Sequence, residues 1–479
     1  MRVFYSVMWV LALPLVLLRL WLRGRQEPGY RQHWGERLGF YGAATGALPA
    51  LPSPAGEAPL SIWVHAVSVG ETRAAEPLID ALLAQYPSSR IVLTHMTPTG
   101  RATGKALFAR HGARLVQSYL PYDTAGMVRR FIRHFRPRIC ILMETEVWPN
   151  LIGQCARAQV PVVLANARLS ERSLRKAARF GRLLVDAARG ISLVAAQTEA
   201  DAARVRALGV ANVAVTGSIK FDVVVPQAAL ATGAALRARI GARPVLLCAS
   251  TREGEEALIL DAFLQARATL PADVLLLLVP RHPQRFDEVA KLIAERGLQV
   301  QRRSRLQLDG GAVRPSRTGA ASVPAHVPPA SQALPGRGAL AAAVDLQPAA
   351  ADLLPAALDV LLGDSMGEMF AYYAACDCAF VGGSLLPLGG QNLIEPAALG
   401  KPVLIGPHTF NFALVTEDAL AAGGAERVAD ACALMAQAAR LLGDHAARDA
   451  MGARALAFAN RHRGATARTL ALLPPLLPV

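Results

Sequence analysis

The feature that most constrains the fold is an alternation of short apolar segments with longer helical patterns. In the first half of the chain these segments, each seven to nine residues long and rich in aliphatic side chains, are Ser61–Val69, Arg90–Met96, Arg138–Glu144, Val160–Ala167, Ile191–Gln197 and Val213–Ile219. Strands that alternate with helices indicate a parallel sheet with helices on both faces. Ligands of such sheets bind beyond the carboxyl ends of the strands. The polar residues that directly follow each strand are therefore the candidate functional residues.

The same alternation restarts in the second half of the chain. Its apolar segments are Arg243–Ser250 and Asp273–Pro280, and Asp359–Met369 resumes the alternation as a strand, a turn and the start of a helix. A stretch of helical composition, 226–243, lies between the halves and is predicted to bridge them. The length of 479 residues suits two or three domains. We therefore predict an α/β protein with two Rossmann-like domains, residues 25–225 and 244–479, that face a central cleft.

One segment of the second half departs from this alternation. Residues 301–355 are rich in Ala, Pro, Gly and Ser and contain few large apolar side chains. A segment of this composition buries too little apolar surface to offset the entropy of ordering it. We predict that 302–355 is a flexible insertion, and the sequence assigns it no role.

The N-terminus carries an apolar run, Val3–Leu22, that is 20 residues long and therefore long enough to cross a bilayer. Four arginines follow this run at positions 23, 25, 31 and 37, whereas only Arg2 precedes it. The positive-inside rule then places the rest of the chain in the cytoplasm. Arg19 and Trp21 equally suit a helix that lies in the membrane interface, and a helix packed onto a soluble domain is a third reading. We predict that residues 1–24 are a membrane anchor.

The charge and the cysteines restrict the partners. Lys and Arg (51) exceed Asp and Glu (36) by 15, so the protein favours anionic partners. Nucleic acid is disfavoured because the sequence has no zinc-finger spacing, no RNP-type motif and no basic amphipathic run. The six cysteines form no CxxC pair, which is typical of free thiols in a reducing compartment. The histidines have no metal-ligand spacing, and the dinucleotide and P-loop fingerprints are absent. No cofactor is expected.

Polar and charged side chains follow the predicted strands, together with Trp148, Met366 and Gly367. In the first half they include Glu71, Arg101, Glu144, Glu146, Trp148, Asn150, Asn166, Ser170, Ser218 and Lys220, and in the second half Ser250, Arg281, His282, Met366, Gly367 and Glu368. Each has an ordinary alternative: Glu71 can be a first-turn acid that interacts with the helix dipole, and Ser365 with Glu368 can form a capping box. One cleft would nevertheless gather the whole set. His282 beside Arg281, after a buried strand, is interpreted as an anion site.

A glycine-rich stretch, Phe380–Phe412, reads as a strand end, a glycine turn, a short helix and a second buried strand. Its two Gly-Gly pairs let the backbone reach positive φ and approach a ligand closely. Gln391 and Asn392 open the helix, whose free N–H groups would favour a phosphate, and Glu395 could hold a sugar diol. The alternative is a glycine-containing turn before a core helix. With the strand-end residues, this stretch favours a two-domain sugar-nucleotide enzyme.

The sequence resembles the Kdo transferases of lipopolysaccharide synthesis, where Kdo is 3-deoxy-D-manno-octulosonic acid. The motifs that carry the resemblance cover nearly the whole chain in order: GERLGFY (Gly35–Tyr41), HAVSVGET (His65–Thr72), TPTG (Thr97–Gly100), YLPYD (Tyr119–Asp123), METEVWPNLI (Met143–Ile152), NARLSERS (Asn166–Ser173), GSIKFD (Gly217–Asp222), ASTREGEE (Ala249–Glu256), VPRHP (Val279–Pro283), GDSMGEM (Gly363–Met369) and GPHTFNF (Gly406–Phe412).

The resemblance implies a GT-B glycosyltransferase of family 30 that is inverting and independent of metal. It would move Kdo from CMP-Kdo to lipid IVA, the lipid A precursor, on the cytoplasmic side of the inner membrane. The domain at 25–225 would bind the acceptor, and the domain at 244–479 would bind CMP-Kdo. Glu71 matches the general base, for which a carboxylate of ordinary pKa suffices. Arg101 and Glu146 are assigned to the acceptor side. The donor-binding residues would be Lys220, Ser250, Arg281, His282, Met366, Gly367, Glu368, Asn392 and Glu395.

One residue departs from the family pattern, and two alternatives stay open. The family often has Gly-Gly-His-Asn where this chain has Gln391, which can donate a hydrogen bond but carries no charge. One alternative is another GT-B enzyme, either a sugar-nucleotide epimerase or a transferase with a UDP donor. The other is a membrane-anchored, non-catalytic binder of anionic lipid, which would tolerate the loss of Glu71.

Overall fold

The computed structural model describes residues 2–25, 27–41, 59–171, 173–175, 181–308 and 353–477. The chain divides into two compact units. Unit 1 contains Met1–Val224 and His462–Val479, and unit 2 contains Val225–Arg461. Each unit is a seven-stranded parallel sheet with helices around it, so the predicted α/β class is confirmed.

The sheet of unit 1 has the strand order β3-β2-β1-β4-β5-β6-β7. Its strands are β1 (Ser61–His65), β2 (Arg90–His95), β3 (Leu115–Tyr119), β4 (Ile139–Met143), β5 (Val162–Ala167), β6 (Leu193–Ala196) and β7 (Val213–Val215). The helices up to residue 224 are α1 (Arg2–Arg23), α2 (Trp34–Arg37), α3 (Val69–Ala74), α4 (Glu76–Gln85), α5 (Pro98–Leu107), α6 (Ala125–Phe135), α7 (Pro149–Arg157), α8 (Arg182–Arg189) and α9 (Glu199–Ala207). The order reverses between β1 and β4, where doubly wound sheets bind their ligands.

The sheet of unit 2 has the strand order β10-β11-β9-β8-β12-β13-β14, which reverses between β8 and β12. Its strands are β8 (Val245–Thr251), β9 (Leu275–Pro280), β10 (Val300–Arg302), β11 (Val360–Leu362), β12 (Cys378–Val381), β13 (Val403–Ile405) and β14 (Ala425–Arg427). Its helices are α10 (Gln227–Ile240), α11 (Glu255–Gln265), α12 (Phe286–Glu295), α13 (Met369–Ala375), α14 (Ile394–Ala398), α15 (Ala413–Ala421), α16 (Ala431–Gly443) and α17 (His445–Arg461).

Alternate residues of each strand point to opposite faces of the sheet, and helices cover both faces, so the side chains on both are buried. In β1, Trp63 packs into one core with Phe131, whereas Ile62 and Val64 pack into the other core with Leu78. This arrangement explains why the strands read as continuous apolar runs, as the sequence analysis assumed. The edge strands β3, β10 and β14 are less apolar and were not predicted.

The predicted domain boundaries are wrong at the C-terminus and at the bridge. The final helix, α18 (Ala465–Ala471), belongs to unit 1, where the carboxylate of Asp222 accepts hydrogen bonds from Gly464 N–H (2.6 Å) and Thr466 N–H (2.5 Å). The predicted bridge, 226–243, contains α10 and belongs to unit 2. A Cβ atom at Gly233 of α10 would lie 2.6 Å from a side-chain carbon of α13, so the two helices pack at close range.

The predicted insertion also begins too early and ends too late. Arg302 is part of β10, which pairs with β11, and Arg303–Arg305 form a 3-10 turn. Leu306 and Leu354 are buried in the core of unit 2. The ends of the segment are therefore built into unit 2 by apolar contacts, and residues 309–352 lie outside the described part of the chain.

Helix α1 is long and apolar enough to cross a membrane, by length and composition alone. One side of the helix contacts unit 1: the Ser6 hydroxyl lies 3.0 Å from Asn150 Nδ2, and the Trp9 ring stacks on Tyr122 with centroids 5.6 Å apart. Near its C-terminal end Leu20 is buried. The other side exposes apolar side chains, namely Val3, Phe4, Val7, Met8, Val10, Leu11, Leu15 and Leu18.

Candidate functional site

Glu71 lies in α3, directly after β1 and beside the point where the strand order of unit 1 reverses. Its Oε2 atom accepts a hydrogen bond from Val67 N–H (2.8 Å), and its Oε1 atom accepts one from the Ser68 hydroxyl (3.3 Å). Burial is the main cause that raises the pKa of this carboxyl from 4.5 to about 7; the Val67 hydrogen bond opposes the rise, and Glu144 and Glu146 add to it. The expectation of an ordinary pKa was therefore wrong.

Two further carboxylates follow β4, on the other side of this switch point. Glu144 has φ +61°, which is uncommon for a residue other than glycine, and its Oε1 atom lies 2.7 Å from Lys220 Nζ. Glu146 accepts a hydrogen bond from Trp148 Nε1 (2.7 Å). Burial raises the pKa of Glu146, and the charge of Glu144 raises it further. Because these charges act on Glu71 as well, the structure brings together three of the strand-end carboxylates.

Asn166 holds the backbone beside Lys220. It is fully buried in β5, and its Oδ1 atom accepts a hydrogen bond from Ile219 N–H (3.1 Å). Its backbone is left-handed (φ +54°), a conformation that asparagine tolerates better than most residues. Ser250 at the end of β8 in unit 2 has the same conformation (φ +56°). The sequence marked Asn166 as a strand-end residue without a role, and a buried asparagine at the end of an apolar strand was the available signal.

Arg101 lies in α5 and forms an ion pair with both carboxylate oxygens of Glu36, a residue that is only 4% exposed. Tyr119 N–H donates to the same carboxylate (2.8 Å), and the guanidinium groups of Arg37 and Arg101 lie over the Tyr119 ring. Glu36 was not predicted as a site residue, although it stands within the motif GERLGFY. A buried carboxylate with a guanidinium partner fixes the direction in which Arg101 points.

A groove of about 700 Å³ opens beside Arg101 in unit 1. Polar and charged side chains line much of it, among them Gln32, His33, Thr99, Arg101, Lys105 and Gln117. α5 lies close to the Glu71 loop, because a Cβ atom at Gly100 would be 3.3 Å from Val67 O. One side of α5 therefore lines the groove, and Gly100 of the same helix approaches the loop that carries Glu71.

In unit 2 the first glycine pair of Phe380–Phe412 is bound to a carboxylate. Glu255 is fully buried, and it accepts hydrogen bonds from the N–H groups of Gly383 (2.6 Å), Ser384 (2.9 Å), Leu385 (2.9 Å) and Arg252 (2.9 Å). Its four acceptor positions are thereby filled. The N–H groups of this turn are occupied by the protein itself, a contact that the sequence analysis did not foresee.

A cationic cluster follows β9 in unit 2. Arg281 N–H donates to Thr251 O (2.9 Å), so the chain turns directly above the end of β8. Burial lowers the pKa of His282, and the positive charges of Arg252, Arg281 and Arg285 lower it further. The pKa of a histidine falls in this way where cations gather. Positive charge therefore gathers at this strand end, and anion binding there stays a prediction.

The turn before α13 contains three predicted donor residues. Met366 is exposed, Gly367 has φ +85°, and Glu368 accepts hydrogen bonds from Arg303 Nη2 (2.8 Å) and from the Ser365 hydroxyl (2.5 Å). The helix begins at Met369, and no side chain caps its N-terminus. Ser365 and Glu368 therefore do not form the capping box that was the alternative interpretation. Arg303, which was assigned to the flexible insertion, holds this carboxylate in place.

Asn392 and Glu395 flank the start of a helix that is shorter and later than predicted. α14 contains only Ile394–Ala398. Asn392 Oδ1 accepts a hydrogen bond from Ile394 N–H (3.1 Å), and its Nδ2 atom donates to Glu395 Oε1 (3.1 Å). The side chain of Gln391 lies beside Gly383, where an added Cβ atom would be 3.1 Å from the amide nitrogen. Gln391 thus packs against the turn that Glu255 organises.

The predicted site residues fall into two groups. Unit 1 contains Glu71, Arg101, Glu146 and Lys220, although Lys220 was assigned to the donor. Unit 2 contains the other predicted donor residues, namely Ser250, Arg281, His282, Met366, Gly367, Glu368, Asn392 and Glu395. Within the described ranges, no group of three or more His, Cys, Asp or Glu side chains is arranged to hold a metal ion.

The fold and the paired switch points define a protein of the GT-B class. The chain is similar in structure to a UDP-GlcNAc 2-epimerase from Neisseria meningitidis, with a TM-score of 0.53 and 12% identity. That similarity covers 86% of this chain and 99% of the epimerase, so both units are matched. At this identity the similarity concerns the fold alone.

The sequence comparisons identify the family. Residues 32–223 match the family described as 3-Deoxy-D-manno-octulosonic-acid transferase (kdotransferase). The chain is 44% identical to a 3-deoxy-D-manno-octulosonic acid transferase of Bordetella pertussis over 463 residues, which cover 95% of each chain. It is 36% identical to the enzyme of that name from Haemophilus influenzae, with 99% of each chain covered. The chain belongs to the Kdo transferase family, the glycosyltransferases that add Kdo in lipopolysaccharide synthesis.

Proposed function

We propose that the protein transfers Kdo from CMP-Kdo to lipid IVA by an inverting reaction that needs no metal ion, with Glu71 as the general base. The observation that carries this proposal is the environment of Glu71. Its pKa of about 7 lets the carboxylate exist in both protonation states near neutral pH. A general base works best when its pKa lies close to the working pH.

In the reaction, a sugar hydroxyl of the acceptor attacks the anomeric carbon of Kdo. The bond between that carbon and the phosphate oxygen breaks, and its electron pair leaves with CMP. Glu71 takes the hydroxyl proton as the new bond forms. Attack on the face opposite the leaving phosphate inverts the configuration, and positive charge develops on the ring in the transition state.

The neighbouring charges of unit 1 suit this step. Glu144 and Glu146 place negative charge near Glu71, which makes its carboxylate a stronger base. The pair of Glu144 with Lys220, at 2.7 Å, supplies a cation close to this group. We assign Lys220 to the phosphate of the donor, whose negative charge it would offset as CMP departs.

Unit 2 supplies the remaining donor contacts of the proposal. The cluster at Arg281 and His282 would hold the phosphate, since three guanidinium groups act on His282. Glu368, held by Arg303 at 2.8 Å, would accept hydrogen bonds from the ribose hydroxyls. Asn392 and Glu395 are bonded to each other at 3.1 Å and would bind the sugar side of the nucleotide. Arginine and lysine charges neutralise the leaving group, so the reaction is proposed to proceed without metal.

The groove beside Arg101 is the acceptor side of the proposal. Lipid IVA carries phosphate groups, and the groove presents Arg101, Lys105 and His33. Glu36 holds the guanidinium of Arg101 in one orientation, which favours recognition of a phosphate. Glu146, at the end of β4, is assigned to the acceptor hydroxyls.

The membrane contact is proposed to be made by α1 lying in the interface of the inner membrane, on the cytoplasmic side. Contacts at both ends hold α1 along unit 1: Ser6 with Asn150 (3.0 Å) at the start, and Trp21 O with Arg31 Nε (3.2 Å) at the end. A helix that crossed the bilayer would lose one set of these contacts. The outward side is apolar, with Phe4 71% and Leu11 67% exposed, and arginines at its end suit anionic headgroups.

The decisive experiment incubates the protein with lipid IVA and a supply of CMP-Kdo and measures the product mass. We expect one or more added Kdo residues, no turnover with UDP-sugars, and undiminished turnover in EDTA. Glu71→Gln should bind lipid IVA yet lose turnover, because the amide cannot take the proton. Turnover in this variant near the wild-type rate would contradict the assignment of Glu71 as the base. Turnover with UDP-sugars would instead favour a GT-B epimerase or a transferase with a UDP donor.

The membrane proposal has a separate test. An epitope tag before Arg2 should be reached only from the cytoplasmic side of oriented inner-membrane vesicles, because an interfacial helix keeps both ends on one side. Detection from the periplasmic side would overturn it. Leu11→Glu should release the protein from vesicles, whereas Leu264→Glu, at an exposed apolar position of unit 2, should leave membrane binding unchanged.

A further inference from the structure

The buried His95 and the partly buried Gln117 form a hydrogen-bonded connection beside the Glu71 loop. His95 ends β2 and is fully buried, and Gln117 lies in the neighbouring strand β3. Gln117 Nε2 lies 2.9 Å from His95 Nε2, and His95 Nδ1 lies 3.1 Å from Ala66 O. Gln117 also lines the groove beside Arg101.

The partners determine the direction of every hydrogen bond in this connection. Gln117 Nε2 also donates to Arg101 O (3.0 Å), and a carbonyl can only accept, so this atom is the amide nitrogen. It therefore donates to His95 Nε2, which must be the unprotonated ring nitrogen. Burial lowers the pKa of His95 to about 4, so the ring is neutral and its one proton lies on Nδ1. That proton is donated to Ala66 O.

Ala66 begins the loop that holds the Glu71 carboxylate. The next residue, Val67, donates its N–H to Glu71 Oε2 at 2.8 Å. The Thr72 hydroxyl lies 3.4 Å from His95 Nδ1 and donates to Ser68 O at 2.8 Å. His95 thus binds the carbonyl of the same peptide whose N–H binds the carboxylate, and Thr72 connects the histidine to Ser68 as well.

Gly104 of α5 makes room for the connection. A Cβ atom at this position would lie 2.5 Å from Gln117 Nε2, closer than real Cβ contacts, and 3.0 Å from His95 Nε2, which is tighter than most. Four residues earlier, Gly100 lets the same helix approach the Val67 carbonyl. Because residues i and i+4 share one face of a helix, both glycines face this region. The close approach of α5 depends on them.

We propose that His95 and Gln117 are positioning residues for the reaction at Glu71. A chain of hydrogen bonds runs from Arg101 O through Gln117 and His95 to Ala66 O and fixes the position of the loop. Val67 N–H of this loop then orients the Glu71 carboxylate. The same chain couples the acceptor-side helix α5 to the base. The inference rests on the proposed function, because these hydrogen bonds can affect the reaction in this way only if Glu71 is the base.

The test compares kcat, the KM of CMP-Kdo and the pH dependence of kcat in four variants of the full chain. In His95→Leu and Gly104→Ala we expect kcat to fall about 10²-fold, the loss that a small misplacement of a catalytic group produces, with the donor KM within about twofold of wild type. His95→Asn keeps a donor near the Nδ1 position and should recover most of the rate. Gly126→Ala, in α6 with its nearest neighbour 3.9 Å away, is the matched control and should match wild type.

The pH profile separates positioning from a loss of folded protein. The Val67 hydrogen bond lowers the pKa of Glu71, so its loss should move the acid limb of kcat to higher pH. Misfolding alone would lower the rate at every pH without moving the limb. The other titratable groups that face this region are unchanged in all variants: Glu144 and Glu146 near Glu71, and Arg101 and the neutral His65 near His95.

Each outcome decides the inference. Wild-type kcat in His95→Leu and Gly104→Ala, together with an inactive Glu71→Gln, would overturn it and leave the general base intact. A lower rate with an unmoved acid limb and no recovery in His95→Asn would also overturn it. If His95→Leu fails to fold, Gln117→Leu replaces it, since Gln117 is only partly buried. Activity in Glu71→Gln would instead remove the proposed function and this inference with it.

Discussion

The environment of Glu71 leads to an unusual prediction: Glu71→Gln should make the protein more stable at pH 8 while removing its activity. Burial, together with Glu144 and Glu146, disfavours the ionised carboxylate, and the pKa is raised from 4.5 to about 7 as a result. The neutral amide of glutamine avoids this charge and can still accept the Val67 N–H. Sites that are organised for catalysis are commonly less stable than their neutralised variants.

The sign and size of the effect follow from the two pKa values. Between pH 4.5 and 7 the unfolded chain loses this proton before the folded chain does, so stability falls across that window and the full penalty is present above pH 7. The rise in pKa corresponds to roughly 3 kcal/mol. Solvent screening of a partly exposed group reduces this to about 1–2 kcal/mol. For a unit of this size the melting temperature should rise by about 2–6 °C.

The assay is thermal unfolding of wild type and Glu71→Gln at pH 4.5, 6 and 8. The variant should gain most at pH 8 and nothing near pH 4.5. Glu253→Gln, whose side chain is 86% exposed, is the control and should shift the melting temperature little at any pH. Equal gains at all three pH values would refute the reasoning, because they could not come from an ionisation between 4.5 and 7. In parallel, wild-type kcat should rise roughly tenfold from pH 6 to 8.

Three further predictions concern the other carboxylates. Glu36→Gln should raise the KM of lipid IVA several-fold with a smaller change in kcat, because Arg101 loses its charged partner; an unchanged acceptor KM in steady-state assays would contradict the role given to the groove. Glu144→Gln should move the acid limb of kcat to lower pH, since it removes a negative charge that raises the pKa of Glu71; an unmoved limb would mean that the two groups are not coupled. Glu255→Gln should destabilise unit 2 by about 2–3 kcal/mol in urea unfolding, because its amide group would face an N–H donor; stability equal to Glu253→Gln would show that the four bonds contribute nothing.

The parts of the fold that sequence predicts well are those decided by local composition. Buried strands such as β4 and β9 are continuous aliphatic runs, and the residue after each strand is at the ligand edge whatever the strand order. This is why Glu71 and His282 could be placed at strand ends from position alone, whereas the role of Glu71 as the base came from the family resemblance and stays a prediction. The edge strand β3 was missed because its inner residues LVQSY mix polar and apolar side chains.

The parts that sequence does not predict depend on contacts between distant residues. Glu255 meets Gly383 across 128 positions, and nothing local in either motif indicates the pairing. The pKa of Glu71 depends on Glu144 and Glu146, which belong to another strand. The C-terminal helix returns to unit 1 because Asp222 binds its first N–H groups, a contact over 242 positions. Local patterns thus predict where a side chain stands but not which charges surround it.

The two switch points show how such contacts decide function. Glu71 follows β1 and Glu255 follows β8, so both are first-turn acids after the strand at which the sheet order reverses. A carboxylate has about four acceptor positions. In Glu255 four N–H groups occupy them, so this side chain can organise a turn but cannot take a proton from a hydroxyl. In Glu71 Val67 N–H and the Ser68 hydroxyl occupy two, and the remainder can receive the acceptor's hydroxyl. The number of donors around each carboxylate, rather than its place in the sequence pattern, distinguishes the proposed base from the carboxylate that organises a turn.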